Sequence, residues 1–217
     1  DNGRSRGLGD VYKRQTIDVG SAQAVHEAAK SAGFNMIDAP VSGGVIGADA
    51  GTLTFMCGGD KDSFEKAKPI LQGMGKNIVH CGSGGLGQAT KICNNMLAGI
   101  NALAAAEAMT MGERLGVSPD ILYEVISTST GRSYIFETSN PMPDVCSTSP
   151  ANNKFKPGFM AKLMLKDLRL SQAAAQDAKT STPLGAAATA AFQQLIDSGF
   201  GDLDTSSIIK VIKPESK

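Results

Sequence analysis

Apolar positions follow two different rhythms along this chain. From residue 16 to residue 81 they come in short runs and amphipathic stretches, punctuated by Gly, Asp and Asn. Residues 35–39, 52–57 and 77–81 are brief apolar runs, with β-branched residues in each, and predict strands. Between them, Ser21 as cap and Gly33 as stop predict a helix over residues 21–32. Asp60 predicts the cap of another, with Phe64, Ala67, Ile70 and Leu71 on its inner face. The resulting αββαβ order is part of an α/β sheet layer, too short for a complete dinucleotide-binding domain.

After Gly87 the strand pattern stops. Residues 88–115 are Ala-rich and apolar nearly all round, which predicts one helix of about 40 Å, buried on most sides. Ser118 and Pro119 have the N-cap and N1 chemistry of a following helix. Residues 139–158 read as a loop, and further helices are predicted over 159–180, 184–198 and 205–212. Residues 1–15 fit neither rhythm: Arg4, Arg6, Lys13 and Arg14 lie among Gly, Asp and Asn without apolar periodicity. They read as a foreign leader outside the fold, and Asp1 and Asp10 argue against a transit peptide.

Charge narrows the function classes. The 217 residues carry 21 Lys plus Arg against 21 Asp plus Glu, so no net field grips nucleic acid or an anionic membrane. No apolar run reaches the ~20 residues of a membrane span. Cys57, Cys81, Cys93 and Cys146 form no CxxC pair, and His26 and His80 are far apart in sequence, so neither a zinc site nor a disulfide framework is expected. Buried, reduced thiols are the expectation.

The chemistry concentrates in three places. Gly82, Gly84 and Gly87 spell GxGxxG between a predicted strand and a predicted helix, the spacing of a dinucleotide fingerprint. Glu107 stands where a ribose-binding acid could follow, but inside an alanine-rich helical run with no strand before it. A hinge at a helix start is therefore the better reading. That helix carries Lys91 and, one turn on, Asn95, with Asn94 on the neighbouring face. A lysine near a helix N-terminus opposes the macrodipole, and burial lowers its pKa further, so Lys91 is a candidate proton carrier. Asn95 or Asn94 could orient it or bind a substrate oxygen. The turn Asp38-Ala-Pro-Val-Ser-Gly-Gly44 offers the Ser42 hydroxyl and the open backbone of Gly43 and Gly44, suited to a small carboxylate. Lys166-Asp167 interrupts an apolar helical stretch and reads either as a solvated edge or as a site.

Together these stretches resemble the β-hydroxyacid dehydrogenase family. The resemblance rests on Asp38-Ala-Pro-Val-Ser-Gly-Gly with Gly51 beyond it, on GxxGxGxxxKxxxN at Gly82, Gly85, Gly87, Lys91 and Asn95, and on Lys166-Asp167-Leu168. It covers residues 16–213 and selects Asn95 over Asn94. It implies an α/β partial Rossmann domain over residues 16–82, then a long interdomain helix and an all-α C-terminal domain over 83–213. It implies NAD as cofactor, with NAD and NADP not distinguished, and a small β-hydroxy acid as substrate. Lys91 would be the catalytic acid/base, with Asn95, Ser42, Gly43, Gly44 and Asp167 on the substrate and Thr16 and Lys166 on the cofactor. The serine that the family places before Thr16 is lost, and its N-terminal GxGxxG is not found ahead of Thr16. Weak or no NAD binding by the chain as given is therefore expected. A homo-oligomer through the α domain is expected, in the mitochondrial matrix of a eukaryote or the cytoplasm of a bacterium. A non-catalytic oligomerising scaffold is the rival, against which the retained Lys91 argues.

Overall fold

The computed structural model describes residues 11–13 and 16–213. Its contacts divide the chain into two units, Asp1–Cys93 and Asn94–Lys217, with the division inside a continuous helix.

Among the described residues, the first unit holds a five-stranded sheet with helices. β1 (Val11–Lys13) pairs in parallel with β2 (Met36–Asp38). The backbone of residues 11–13 thus belongs to the sheet, although the sequence reading left it outside. The rest of the presumed leader lies outside the described residues. β4 (Leu53–Gly58) is the hub, antiparallel to β2 and to the short β3 (Val41–Ser42) and parallel to β5 (Gly75–Gly82). β3 and α2 (Gly44–Asp49) fill the Gly-rich turn and are too short to show an apolar period.

α1 (Val19–Ser31) starts two residues before the predicted start. Its cap is Asp18, whose side chain accepts from the Ser21 N–H, so Ser21 is the capped residue and not the cap. The predicted stop holds: Gly33 has φ +76°, and the Phe34 N–H returns to the Ala29 carbonyl. α3 (Lys61–Gln72) is capped by Asp60 as predicted, with Phe64, Ala67 and Leu71 buried and Ile70 turned out to solvent. Ile37, Ala39, Phe55, Cys57, Phe64, Ala67 and Leu71 form this unit's core.

The second unit is all-α. α4 (Leu86–Arg114) runs for 29 residues, about 43 Å, and crosses the division between the units. α5 (Pro119–Ser127), α6 (Tyr134–Thr138), α7 (Ala161–Asp177), α8 (Pro183–Asp197) and the terminal turn α9 (Ile209–Ile212) follow, with short 3-10 turns at Pro150–Asn153 and Thr205–Ile208. Ala102, Ala105, Ala106 and Met109 of α4 join Met164, Leu165, Leu168, Phe192, Leu195 and Ile208 in the core. The alanines keep the helices close. Burial on most sides of α4 is not what is found: Leu97 and Met111 are 57 and 62 % exposed. They fall on one stripe, since positions 14 residues apart on a helix nearly coincide in angle. Among the described residues, no helix is long and apolar enough to cross a membrane.

Candidate functional site

In the first unit the site is built around the end of β2. Asp38 is fully buried. Its Oδ1 accepts from the Gly85 N–H at 2.8 Å, and its Oδ2 accepts from the Gln88 N–H at 2.8 Å. His26 Nε2 lies 2.9 Å from Oδ1. Burial alone would push the Asp38 carboxyl up, but the bonds from His26, Gly85 and Gln88 outweigh it and hold it below the usual carboxylate range.

The glycines around this carboxylate are taken up by protein. A Cβ on Gly87 would lie 2.4 Å from the Met56 carbonyl oxygen and 2.7 Å from Asp38 Oδ2. One on Gly84 would lie 2.4 Å from the His26 ring, and one on Gly58 would lie 2.4 Å from Asp38 Oδ1. Glu107 is helical and exposed. The GxGxxG at residues 82–87 is thus a strand-to-helix joint, and not a cradle for a pyrophosphate.

The joint delivers Lys91. It sits on the second turn of α4 and is only 9 % exposed, unusual for a lysine. Gln88, also buried, accepts the Ile17 N–H on its Oε1 at 3.1 Å, which ties the segment beginning at Thr16 to the start of α4. Thr16 lies in the connection from β1 to α1, at the carboxyl edge of the parallel pair β1 and β2. That edge is where α/β sheets take nucleotides. Ser42 is half-buried at the end of β3, and Gly43 and Gly44 follow it, exposed, with φ of +133° and +61°.

In the second unit Asn95 and Asp167 meet. Asn95 Nδ2 donates to Asp167 Oδ2 at 2.5 Å, and Asn94 Nδ2 donates to Asn95 Oδ1 at 3.0 Å. Both Asn95 and Asp167 are buried. Gly99 makes this meeting possible, because a Cβ there would lie 3.0 Å from Leu168 Cδ2 and 3.1 Å from Met164 Sδ. α7 can therefore lie close against α4 one turn beyond Asn95. Of the Lys166-Asp167 pair, Asp167 is buried and Lys166 is exposed, its Nζ 3.2 Å from Asp167 Oδ1.

Asp38 itself escaped the sequence reading as a functional residue. The signal was available in the buried strand end, since an acid there needs several donors. Its partners Gly85 and Gln88 were invisible because they are 47 and 50 residues away. The thiols also divide differently: Cys57 and Cys146 are buried, Cys81 is intermediate and Cys93 is exposed. Burial first, then the neighbouring Cys81 and Asp38, push the Cys57 thiol up to about 12.

Residues 85–212 match the family model described as the NAD-binding domain of NADP-dependent 3-hydroxyisobutyrate dehydrogenase. Residues 11–82 match the NAD binding domain of 6-phosphogluconate dehydrogenase. The NAD-dependent L-serine dehydrogenase of Pseudomonas aeruginosa is 44% identical over 204 residues, covering 94% of this chain and 68% of the relative. The 3-hydroxyisobutyrate dehydrogenase of the same organism is 46% identical over 200 residues, covering 91% and 67%. The solved structure of Mycobacterium tuberculosis 3-hydroxyisobutyrate dehydrogenase with L-serine superposes with a TM-score of 0.89 at 43% identity, covering 94% of this chain and 70% of that one.

Proposed function

Since the chain belongs to the 3-hydroxyisobutyrate dehydrogenase family of NAD-dependent β-hydroxyacid dehydrogenases, we propose that it oxidises 3-hydroxyisobutyrate to methylmalonate semialdehyde in valine breakdown. The observation that carries this reading is Lys91, a buried lysine one helical turn ahead of Asn95 on α4. Lys91 Nζ, in its neutral form, takes the substrate hydroxyl proton as the alcohol becomes a carbonyl, and returns it in the reverse direction. Bound NAD supplies the hydride acceptor. Thr16 and Lys166 would each contact that cofactor. Ser42 and the backbone of Gly43 and Gly44 take the substrate carboxylate. Asn95, its amide fixed by Asn94 and Asp167, directs an N–H toward the substrate oxygen, and Asp167 supports it.

L-Serine is the second reading for substrate, because the names of one relative and one matching structure carry it. Tartronate semialdehyde, reduced rather than oxidised, is a third. Steady-state kcat/KM with each of the three separates them, and a tenfold preference for L-serine or tartronate semialdehyde would displace the first reading. Lys91→Ala, assayed in a form of the chain that binds NAD, is expected to lower kcat by at least about 10²-fold. Turnover within threefold of the parent would remove the acid/base assignment.

The α domain also makes a homo-oligomer in this reading. Leu97 and Met111 on one stripe of α4, with Ile121 and Val125 exposed on α5, are apolar side chains of the kind a second copy covers. Sedimentation equilibrium of Leu97→Glu/Met111→Glu against the parent decides this. A smaller assembly is expected, and an unchanged one would move the interface elsewhere.

A further inference from the structure

We propose that Asp38 is the residue that positions Lys91: its carboxylate, held by His26, stands in for the capping side chain that Gly85 lacks and so sets where α4 begins and which way its first turns face.

The first turn of a helix leaves N–H groups without partners, and an N-cap side chain ordinarily serves the third. α4 begins at Leu86, so its N-cap is Gly85, which has no side chain to offer. Any other residue there is strained by φ of +87°, and its Cβ would lie 2.8 Å from Gln23 Cγ. Asp38 supplies the missing acceptor from the end of β2. Its two oxygens take N–H groups at two points of the helix start, Gly85 and Gln88, at 2.8 Å each. A single acceptor would fix a position. Two acceptors on one planar group also fix the rotation of the helix about its axis.

The carboxylate is itself immobilised. His26 Nε2 holds Oδ1 at 2.9 Å, and the His26 ring fits over Gly84, where a Cβ would lie 2.4 Å from it. Gly58 and Gly87 close around the two oxygens, each at a distance no side chain would allow. A negative group at the N-terminal end of the macrodipole adds to the hold. Every element of this lock lies in the first unit, together with Lys91.

Lys91 follows Gln88 by three residues and shares its face of the helix. A lysine amine stands about 8 Å from a helix axis, so a 10° rotation of the first turns moves it by roughly 1.4 Å. A displacement of about 1 Å at a reacting group can cost on the order of 10² in rate. Asp38 therefore controls the reaction without touching substrate. The rate consequence rests on the acid/base reading of Lys91, whereas the structural consequence does not.

The test is Asp38→Asn in the full chain, which keeps the shape and replaces one acceptor oxygen by a donor. Amide hydrogen exchange of residues 87–91 is expected to accelerate by on the order of 10²-fold, with the amides of α8 unchanged. In turnover, kcat is expected to fall at least tenfold with KM within threefold. Exchange at residues 87–91 within threefold of the parent would overturn the proposal. So would a loss confined to KM. Should a parent that binds NAD turn over no β-hydroxy acid, the functional reading fails while the exchange arm still decides the positioning role. If Asp38→Asn does not fold, the parent decides by amide NMR as the pH is lowered from 6 to 2.5. The Gly85 and Gln88 amide protons are expected to move together on one curve with its midpoint below the ordinary carboxylate range, and independent or absent movement would overturn the shared cap.

Discussion

Gly87→Ala is expected to destabilise the α/β unit, against the usual sign of that substitution. Gly87 lies in the first turn of α4 and is not among the residues with positive φ, so its backbone suits alanine. Helix propensity alone would stabilise by about 1 kcal/mol. The new Cβ, however, would lie 2.4 Å from the Met56 carbonyl oxygen, 2.7 Å from Asp38 Oδ2 and 2.9 Å from the Asp38 carbonyl oxygen. None of the three can step aside, because Met56 is in the central strand and Asp38 is fully buried and triply bonded. Relief of such a clash costs about 1–3 kcal/mol. Drawing Asp38 Oδ2 away from the Gln88 N–H costs a further 1–3 kcal/mol or so. The net expectation is a loss of about 3 kcal/mol, or more than 10 °C in the melting of a unit of this size. Gly20→Ala is the control. Gly20 lies in the first turn of α1, where the nearest atom to a Cβ is Asp18 Oδ1 at 3.4 Å, an ordinary contact. There the same change should stabilise by about 0.5–1 kcal/mol. Urea titration read by a probe in the first unit gives both numbers, and a Gly87→Ala protein as stable as the parent would refute the reading of the joint as a close-packed lock.

Other outcomes follow from the same geometry. Asn95→Ala leaves the Asp167 carboxylate buried without its amide donor and should cost the α domain about 3 kcal/mol in urea unfolding, while Asp167→Asn should cost less than half of that. The carboxyls of Asp18, Asp38 and Asp60 are all held below the usual range. A carboxyl depressed in the folded state adds stability above its unfolded value near 4 and loses it as pH falls through the folded value. The urea midpoint of the first unit should therefore drop between pH 5 and pH 2, and the drop should be shallower in Asp60→Asn. At pH 8 the Cys57 thiol, pushed up to about 12 and buried, should resist iodoacetamide in the folded chain, whereas exposed Cys93 should be modified first. Peptide mass spectrometry reads the order directly.

What the sequence shows and hides divides along a physical line. Local signals were legible: the Asp60 cap, the Gly33 stop, the Pro119 start and the length of α4 each depend on residues within a few positions. Lys91, Asn95 and the Lys166-Asp167 pair were legible as candidates because helical spacing and an interrupted apolar run betray them. What stayed hidden depends on partners far along the chain. Ser21 passed for a cap because Asp18 and Ser21 are both capping residue types, and only the bond between them says which one accepts. The exposed stripe on α4 was hidden for a different reason. An alanine-rich helix is apolar on every face, so its pattern does not reveal which face the core leaves uncovered. The short β3 and α2 carry no period at all, and the strand at residues 11–13 was masked by the charged and glycine-rich residues around it.

The cap on α4 bears on how the chain folds. A helix whose first turn is served by a side chain 47 to 50 residues earlier cannot complete that turn on its own. Closing a loop of that length costs about 3 kcal/mol of chain entropy, which the sheet must meet before the cap can form. Residues 102–109 of α4, which join the core of the α domain, need no such closure and can become helical early. The start of α4 is then among the last segments to be protected during refolding. Pulse-labelled exchange should find the amides near Lys91 open after those near Met109 have closed, so the chain acquires its helical scaffold before it acquires the register of its proton carrier.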